Sequence, residues 1–211
     1  MKLVSVNVGR PRIVLWKGTQ VSTGIFKSAV EGPVEVCELN LRGDRQADLG
    51  VHGGRFKAVY GYPSEHYAYW RRELPQANLP WGAFGENLTT EGLLETELHI
   101  GDHLRIGSAL LQVTQPRSPC YKLTIRFDRD DMVKRFVESN TSGFYFAVLE
   151  EGTLQTGDEI TIVERDAAAV SVADINHLYY KESRDPELLA RAVALEALPQ
   201  SWRDYLSRRG V

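Results

Sequence analysis

The chain has 211 residues, 43% hydrophobic and 25% charged, enough to build a sizeable core in one large domain or a domain with an appendage. A formal charge of -3 gives no general reason to bind nucleic acid, and two cysteines without a Cys-x-x-Cys pair argue against a disulfide framework and a structural zinc site. No apolar run approaches membrane-spanning length, and Met1-Lys2-Leu3 leads into strand-like sequence rather than the apolar core of a signal peptide, so the expected setting is cytoplasmic, away from membranes.

Residues 3–8 alternate as a strand does, with Val4, Val6 and Val8 on one face and Ser5 and Asn7 on the other. Gly9-Arg10-Pro11 ends it, and residues 13–18 read as a strand and a turn. Lys27-Ser28 pairs a point charge with a hydroxyl, a combination suited to phosphate but equally at home in a solvated turn. A strand is expected over residues 34–39, then a polar, turn-like stretch containing Gly43-Asp44-Arg45. Next comes Val51-His52-Gly53-Gly54-Arg55-Phe56-Lys57. Paired glycines let backbone approach a ligand closely, and His52 beside them, with arginines near, makes this the second candidate site. The plain alternative is a hairpin turn with an incidental histidine.

Residues 63–74 are expected to be helical from a proline start, with Tyr67, Trp70 and Leu74 on one face and Pro75 as the stop. His66 on such an aromatic face reads as structural. Phe84-Gly85-Glu86-Asn87-Leu88-Thr89 is a loop entering a strand, whose Asn87 either meets a cofactor or satisfies local backbone. Residues 98–106 and 154–162 echo each other as strand, Gly-Asp turn, strand. Many short strands with glycine turns favour a mainly β protein, a barrel with flanking helices, over a parallel α/β sheet.

The principal candidate site is Gln115-Pro116-Arg117-Ser118-Pro119-Cys120-Tyr121-Lys122-Leu123, after a strand at residues 109–114. Each proline fixes its own φ and biases the residue before it to extended geometry, so the backbone presenting Cys120 is stiff. Arg117 and Lys122 put positive charge close by, and positive charge favours the thiolate, the form that binds metals and attacks electrophiles. The residues alone leave open a soft-metal ligand, a nucleophile beside an anion, or a buried cysteine acting as a small hydrophobe.

A helix is expected at residues 128–139 and a strand at 144–149. Beyond residue 163 the period changes. Ser171-x-x-Asp174 and Ser201-x-x-Asp204 look like capping boxes, Asp185-Pro186 like an N-cap with a first-turn proline, and Gly210 like a C-cap. Two domains follow: residues 1–165, mainly β, and a small three-helix domain at 166–211. Nothing in the mixed charges of those helices supports a DNA reader.

The motifs Gly43-Asp44, His52-Gly53-Gly54, Glu65-His66-Tyr67 with Trp70, Phe84-Gly85-Glu86-Asn87-Leu88 and the Gln115 to Leu123 segment together resemble the MOSC family, the domain named after the C-terminal part of molybdenum cofactor sulfurase, in its bacterial YiiM type. The C-terminal helices are similar to that type's three-helix appendage. The resemblance implies a MOSC β-barrel, a pterin-based molybdenum cofactor with Cys120 as the protein's thiolate ligand, and relatedness to amidoxime-reducing enzymes. It also implies a cytoplasmic detoxifying oxidoreductase that reduces N-hydroxylated compounds, such as N-hydroxylated purines, to amines. Lys27, Ser28, Arg45, Asn87, Arg117, Ser118 and Lys122 are then the candidate cofactor contacts. His52 is the candidate proton donor, since its ordinary pKa lies near neutrality.

Without a flavin, haem or iron–sulfur signature, electrons are expected from an external donor protein; a homodimer stays open. The alternative function is a sulfur carrier or cofactor-binding module using a Cys120 persulfide. Pyridoxal phosphate is disfavoured, since no lysine stands clearly placed for a Schiff base. A final expectation is that Lys27, Arg45, Arg55, Lys57, Arg117 and Lys122 converge as one anion pocket.

Overall fold

A computed structural model describes residues 1–48, 50, 53–181 and 185–209. The chain opens with β1 (Lys2–Val8), the hairpin β2 (Arg12–Trp16) and β3 (Thr19–Thr23), and the short strands β4 (Ser28–Val30), β5 (Val34–Cys37) and β6 (Asn40–Leu41). A single 3₁₀ turn, Arg55–Lys57, leads into β7 (Val59–Pro63), α1 (His66–Glu73) and β8 (Leu88–Glu91). Then follow β9 (His103–Ile106), β10 (Ala109–Pro116), α2 (Lys122–Phe127), α3 (Met132–Ser139), β11 (Phe144–Glu150), β12 (Gly152–Leu154) and β13 (Ile160–Glu164). Three helices finish the chain: α4 (Val172–Tyr180), α5 (Pro186–Ala194) and α6 (Gln200–Ser207). Among the described residues, no helix is long and apolar enough to cross a membrane.

Eight strands form one sheet in the order β13-β9-β10-β11-β7-β8-β1-β4, antiparallel except for the β7–β8 pair that α1 connects. The expected barrel is not closed by strand pairing, because β13 and β4 remain as edges. The reason lies in β1. Its outer edge is divided: Val6 to Val8 pair with β4, while Leu3 exchanges backbone hydrogen bonds of 2.9 and 2.8 Å with Asp158 and Gly157 in the turn before β13. No single strand fills that edge. The sequence echo acquires a spatial meaning, since β9 and β13 are sheet neighbours, with Ile106 opposite Ile160. Residues 98–100, expected as a strand, make only an isolated bridge, His99 with Ser171, while the turn falls at Gly101 as expected.

Polar Ser5 and Asn7 of β1 are buried like Val6, while Val4 and Val8 are only half-buried; Ser5 donates to Asn7 and Asn7 in turn to Thr89. Pro63 closes β7 opposite Thr90 rather than starting α1. Asp128, at φ 50°, ends α2, so the helix expected from residue 128 begins only at Met132. At α4 both halves of the capping box are made, and Asp185 accepts from Glu187 and Leu188 N–H to cap α5. The second capping box does not form: α6 starts after Pro199, and Asp204 accepts from Gln200 Nε2 at 2.6 Å instead. Gly210 lies outside the described residues.

Two apolar clusters carry the packing. One runs without a break from Leu3 and Val6 through Leu104, Val113 and Phe146 into Ile175, Leu188 and Leu206, so the C-terminal helices share the core of the large sheet. The other is aromatic, with Tyr60, Tyr62, Tyr67, Trp70, Phe84 and Phe136 between α1, α3 and the sheet. The cleft described next opens over this second cluster.

Candidate functional site

A cleft of about 580 Å³ is lined by five loops and two strands. Gly24, Ile25 and Lys27 come from the segment after β3, and residues 44–47 from the segment after β6. Lys57 comes from the 3₁₀ turn, Phe84, Gly85 and Asn87 from the loop into β8, and Arg117, Cys120 and Lys122 from the β10–α2 connection. Tyr60 of β7 and Tyr145 of β11 complete the wall.

The thiol is delivered by the strand that the sequence anticipated. β10 runs as far as Pro116, opposite Phe144, and Arg117 N–H still donates to Gly143 O at 3.2 Å. Six residues later Leu123 N–H donates to Cys120 O at 3.0 Å, which begins the first turn of α2. Cys120 is thus pinned between a sheet hydrogen bond and a helix, with a proline on either side of Arg117-Ser118 in between. Its thiol is free and half-buried.

Arg117 is buried, 6% exposed, and its guanidinium lies over the rings of Tyr60 and Phe136 at 5.4 and 5.1 Å. Such cation–ring contacts partly replace lost water. Its Nη1 is buried with no hydrogen-bond partner among the described residues. A buried donor without a partner is costly and marks a place where a ligand acceptor fits. Burial depresses the Lys57 ammonium from its ordinary value, and the nearby Cys120 thiol opposes that shift. Burial likewise depresses Lys27, against the opposing pull of Asp44.

Asp44 is the hub of the cleft floor. It pairs with Lys27, accepts from Gly9 N–H at 2.8 Å and accepts from Asn87 Nδ2 at 2.9 Å, and it is 1% exposed. Asn87 is equally committed, since its Oδ1 accepts from Tyr60 N–H at 3.1 Å and its Nδ2 also reaches Asn7 O. Asn87 therefore sets the spacing between β7, β1 and the Asp44 loop. Of the two options open from sequence, the backbone role is the one its hydrogen bonds serve. Glu86 ties down the turn that presents Phe84 and Gly85, accepting from Tyr67, Thr89 and the N–H groups of Gly82 and Phe84.

The structure gathers Cys120, Lys27, Arg45, Asn87, Arg117 and Lys122 around this cleft. It does not bring Ser28 or Ser118 there. Ser28 sits exposed on β4, where its backbone pairs with Val8, and Ser118 is exposed outside the lining. Arg55 is exposed outside the lining. His52 lies outside the described residues. The sequence reading overlooked Tyr60 and Tyr145 as walls. A signal for Tyr145 existed: in Phe144-Tyr145-Phe146 the strand period puts the two phenylalanines in the core and the phenol on the other face.

Comparison with known proteins bears on this geometry. The MOSC domain model matches residues 48–161, and the YiiM-like, 3-alpha helix domain model matches residues 170–209. The chain is 39% identical over 201 residues to the uncharacterized protein YflK of Bacillus subtilis, covering 95% of this chain and 90% of that one. It is 38% identical over 189 residues to protein YiiM of Escherichia coli, covering 89% and 84%. The crystal structure of YiiM from Geobacillus stearothermophilus superposes with a TM-score of 0.83 at 37% identity, covering 100% of this chain and 99% of that one. A protein of Gibberella moniliformis named "Reductase" is 34% identical over 181 residues, which span 84% of this chain but 32% of that one. From the matched domain, the appended helices and these full-length relatives, the chain belongs to the MOSC family and to its YiiM type.

Proposed function

We propose that this chain is an oxidoreductase that holds a pterin-based molybdenum cofactor in the cleft and reduces N-hydroxylated compounds to amines. The observation that carries the reading is a free thiol sharing one cleft with several cations, one of which, Arg117, has a buried Nη1 lacking a partner among the described residues. Thiolate is a soft ligand suited to such a metal. Among the described residues, no three His, Cys, Asp or Glu side chains group as a metal cage, so a metal here would bring its remaining ligands with it, as a pterin dithiolene does. The donor set thus fits the group the family implies.

Cys120 would be the protein's ligand to the metal, while Arg117, Lys57, Lys122 and Arg45 would meet the cofactor's anionic groups. Lys27 contributes through Asp44, by fixing the cleft floor. When bound, the cofactor supplies the two-electron oxygen-atom chemistry, and the protein supplies orientation and charge. Tyr60, Tyr145 and Phe84 wall the cleft against water. Reduction of an N–OH group consumes two electrons and two protons and yields the N–H product and water. The electrons come from an external donor protein, and His52 keeps the role of proton donor. The reductase-named relative is in line with redox chemistry.

The test is metal and pterin analysis of protein expressed with molybdate, followed by reduction of an N-hydroxylated purine with an artificial electron donor. Wild type is expected to retain molybdenum and pterin and to turn over, and Cys120→Ser to lose both metal and turnover. Full activity in Cys120→Ser sinks the assignment. An unchanged rate and pH profile in His52→Ala removes the histidine. A sulfur adduct on Cys120 by mass spectrometry, without pterin, would establish the persulfide carrier in its place.

A further inference from the structure

The loop that carries the thiol is held from two sides by the C-terminal helices. On β10, Gln115 donates from Nε2 to Phe56 O at 3.1 Å and accepts from Trp202 Nε1 of α6 at 2.6 Å. Across the strand pair, Asn176 Nδ2 of α4 donates to Ser142 Oγ at 2.8 Å. The Ser142 carbonyl accepts from Tyr60 hydroxyl at 2.9 Å, and the adjacent Gly143 carbonyl accepts from Arg117 N–H at 3.2 Å. Both side-chain contacts, from α4 and α6, therefore land at the β10–β11 pair where it delivers Arg117 and Cys120.

These contacts are built to be stiff. Gln115 and Asn176 are each 2% exposed, and a buried amide left without its partner is costly. The Trp202 indole is wedged against Tyr179 at 4.9 Å, and Tyr179 in turn against Tyr205 at 4.7 Å. Apolar packing against the shared core would already attach the helices; the polar contacts add a defined position for one loop.

We infer that the three-helix segment is a positioning device for the Cys120 loop, with Asn176 and Trp202 as its positioning residues. It shares with the proposed function only the choice of Cys120 as the working thiol, and it holds whatever ligand the cleft takes. Loss of either contact frees the segment over residues 115–123 to open locally without unfolding the chain.

The experiment uses the full chain expressed without molybdate, in a Cys37→Ser background that leaves one thiol. The alkylation rate of Cys120 by iodoacetamide and amide hydrogen exchange over residues 115–123 are followed in Asn176→Ala and Trp202→Phe. Each is expected to raise the alkylation rate by about fivefold, as loss of one net hydrogen bond implies, with faster exchange confined to that segment. Leu188→Ala, which cuts the core on α5 away from the loop, is the control: it should lower the melting temperature and leave the alkylation rate unchanged. Unchanged alkylation in both variants overturns the inference, and so does an equal acceleration in Leu188→Ala at matched stability, because that is what a merely structural role produces. Asn176→Ala cuts the contact from α4 and leaves α6 untouched, so it keeps the test readable should Trp202→Phe fail to fold. Absence of molybdenum from the wild type would defeat the proposed function without touching this result.

Discussion

Lys27 and Asp44 show how a charge pair can be part of a binding site without facing the ligand. Both side chains are nearly sealed from water, at 8% and 1% exposure, so the pair is stable only while both members are present. Asp44→Ala should cost about 3–5 kcal/mol in denaturant unfolding, the usual result of stranding one member of a buried pair. Anion binding is a separate property. Cofactor-free protein should gain melting temperature with phosphate at constant ionic strength, since a ligand bound only by the folded state stabilises it. The gain should shrink in Arg117→Ala, whose Nη1 is buried without a partner among the described residues, more than in Lys27→Ala, whose ammonium already serves Asp44. Equal shifts with phosphate and chloride at matched ionic strength would exclude a specific site. Glu86 sets a pH dependence. Burial raises its pKa above the ordinary carboxylate value, against the hydrogen bonds from Tyr67, its own backbone, Gly82 and Thr89 that favour the ion. The folded state thus holds the proton more tightly than the unfolded state. Its stabilising contribution is full below the ordinary value of 4.5 and is lost as pH rises through the raised folded value. The stability difference between wild type and Glu86→Gln should therefore be largest in acid and decline towards neutrality; a difference that grows with pH would contradict the direction of the shift.

At the scale of elements, the site depends on backbone segments that touch. Gly9, at the end of β1, accepts from Arg45 N–H at 3.0 Å and donates to Asp44, and a Cβ placed there would lie 2.4 Å from Phe26 O. Gly9→Ala must push the Phe26-Lys27 segment away from Asp44. It is expected to lower the melting temperature and also to weaken the phosphate-induced rise, a pairing that an ordinary surface substitution would not produce. The helix end at Ser171 tests a different link. Its hydroxyl accepts from Asp174 N–H at 3.0 Å, and Asp174 returns the bond to Ser171 N–H at 2.9 Å. Ser171→Ala should cost about 1 kcal/mol in denaturant unfolding. It should leave the phosphate response intact, because α4 bears on the β10–β11 pair further along, through Asn176.

Over the whole molecule, the shared core decides how the chain unfolds. Leu206 on α6 and Leu3 on β1 belong to one buried cluster, so the sheet and the three helices should melt in a single cooperative transition. Calorimetry checks this, and two separate transitions would show that the parts are independent. Leu206→Ala, at a fully buried position, should shift that single transition with a cost of about 2–5 kcal/mol. A chain cut after residue 165 would expose the apolar faces that Ile175, Leu188 and Leu206 cover, and is expected to aggregate rather than to fold alone.

Local chemistry was enough to read the strand over residues 109–114, which the structure extends to Pro116, the cysteine loop after it, the caps at Ser171 and Asp185, and the aromatic face of α1. Each of these depends on residues within a few positions of one another, where proline geometry, strand period and capping act. The convergence of Lys27, Arg45, Arg117 and Lys122 on one cleft followed from family resemblance, since no spacing along the chain implies it. What depended on contacts distant in sequence could be decided only by the fold. Lys27 is spent on Asp44, Asn87 on three backbone and carboxylate partners, and Gln115 on Trp202 of a helix 87 residues downstream. The sheet stays open because β1 must share one edge between β4 and the turn before β13, a competition no local pattern records. Hydrogen-bond valence is finite, and which partner claims a polar atom is settled by the tertiary structure.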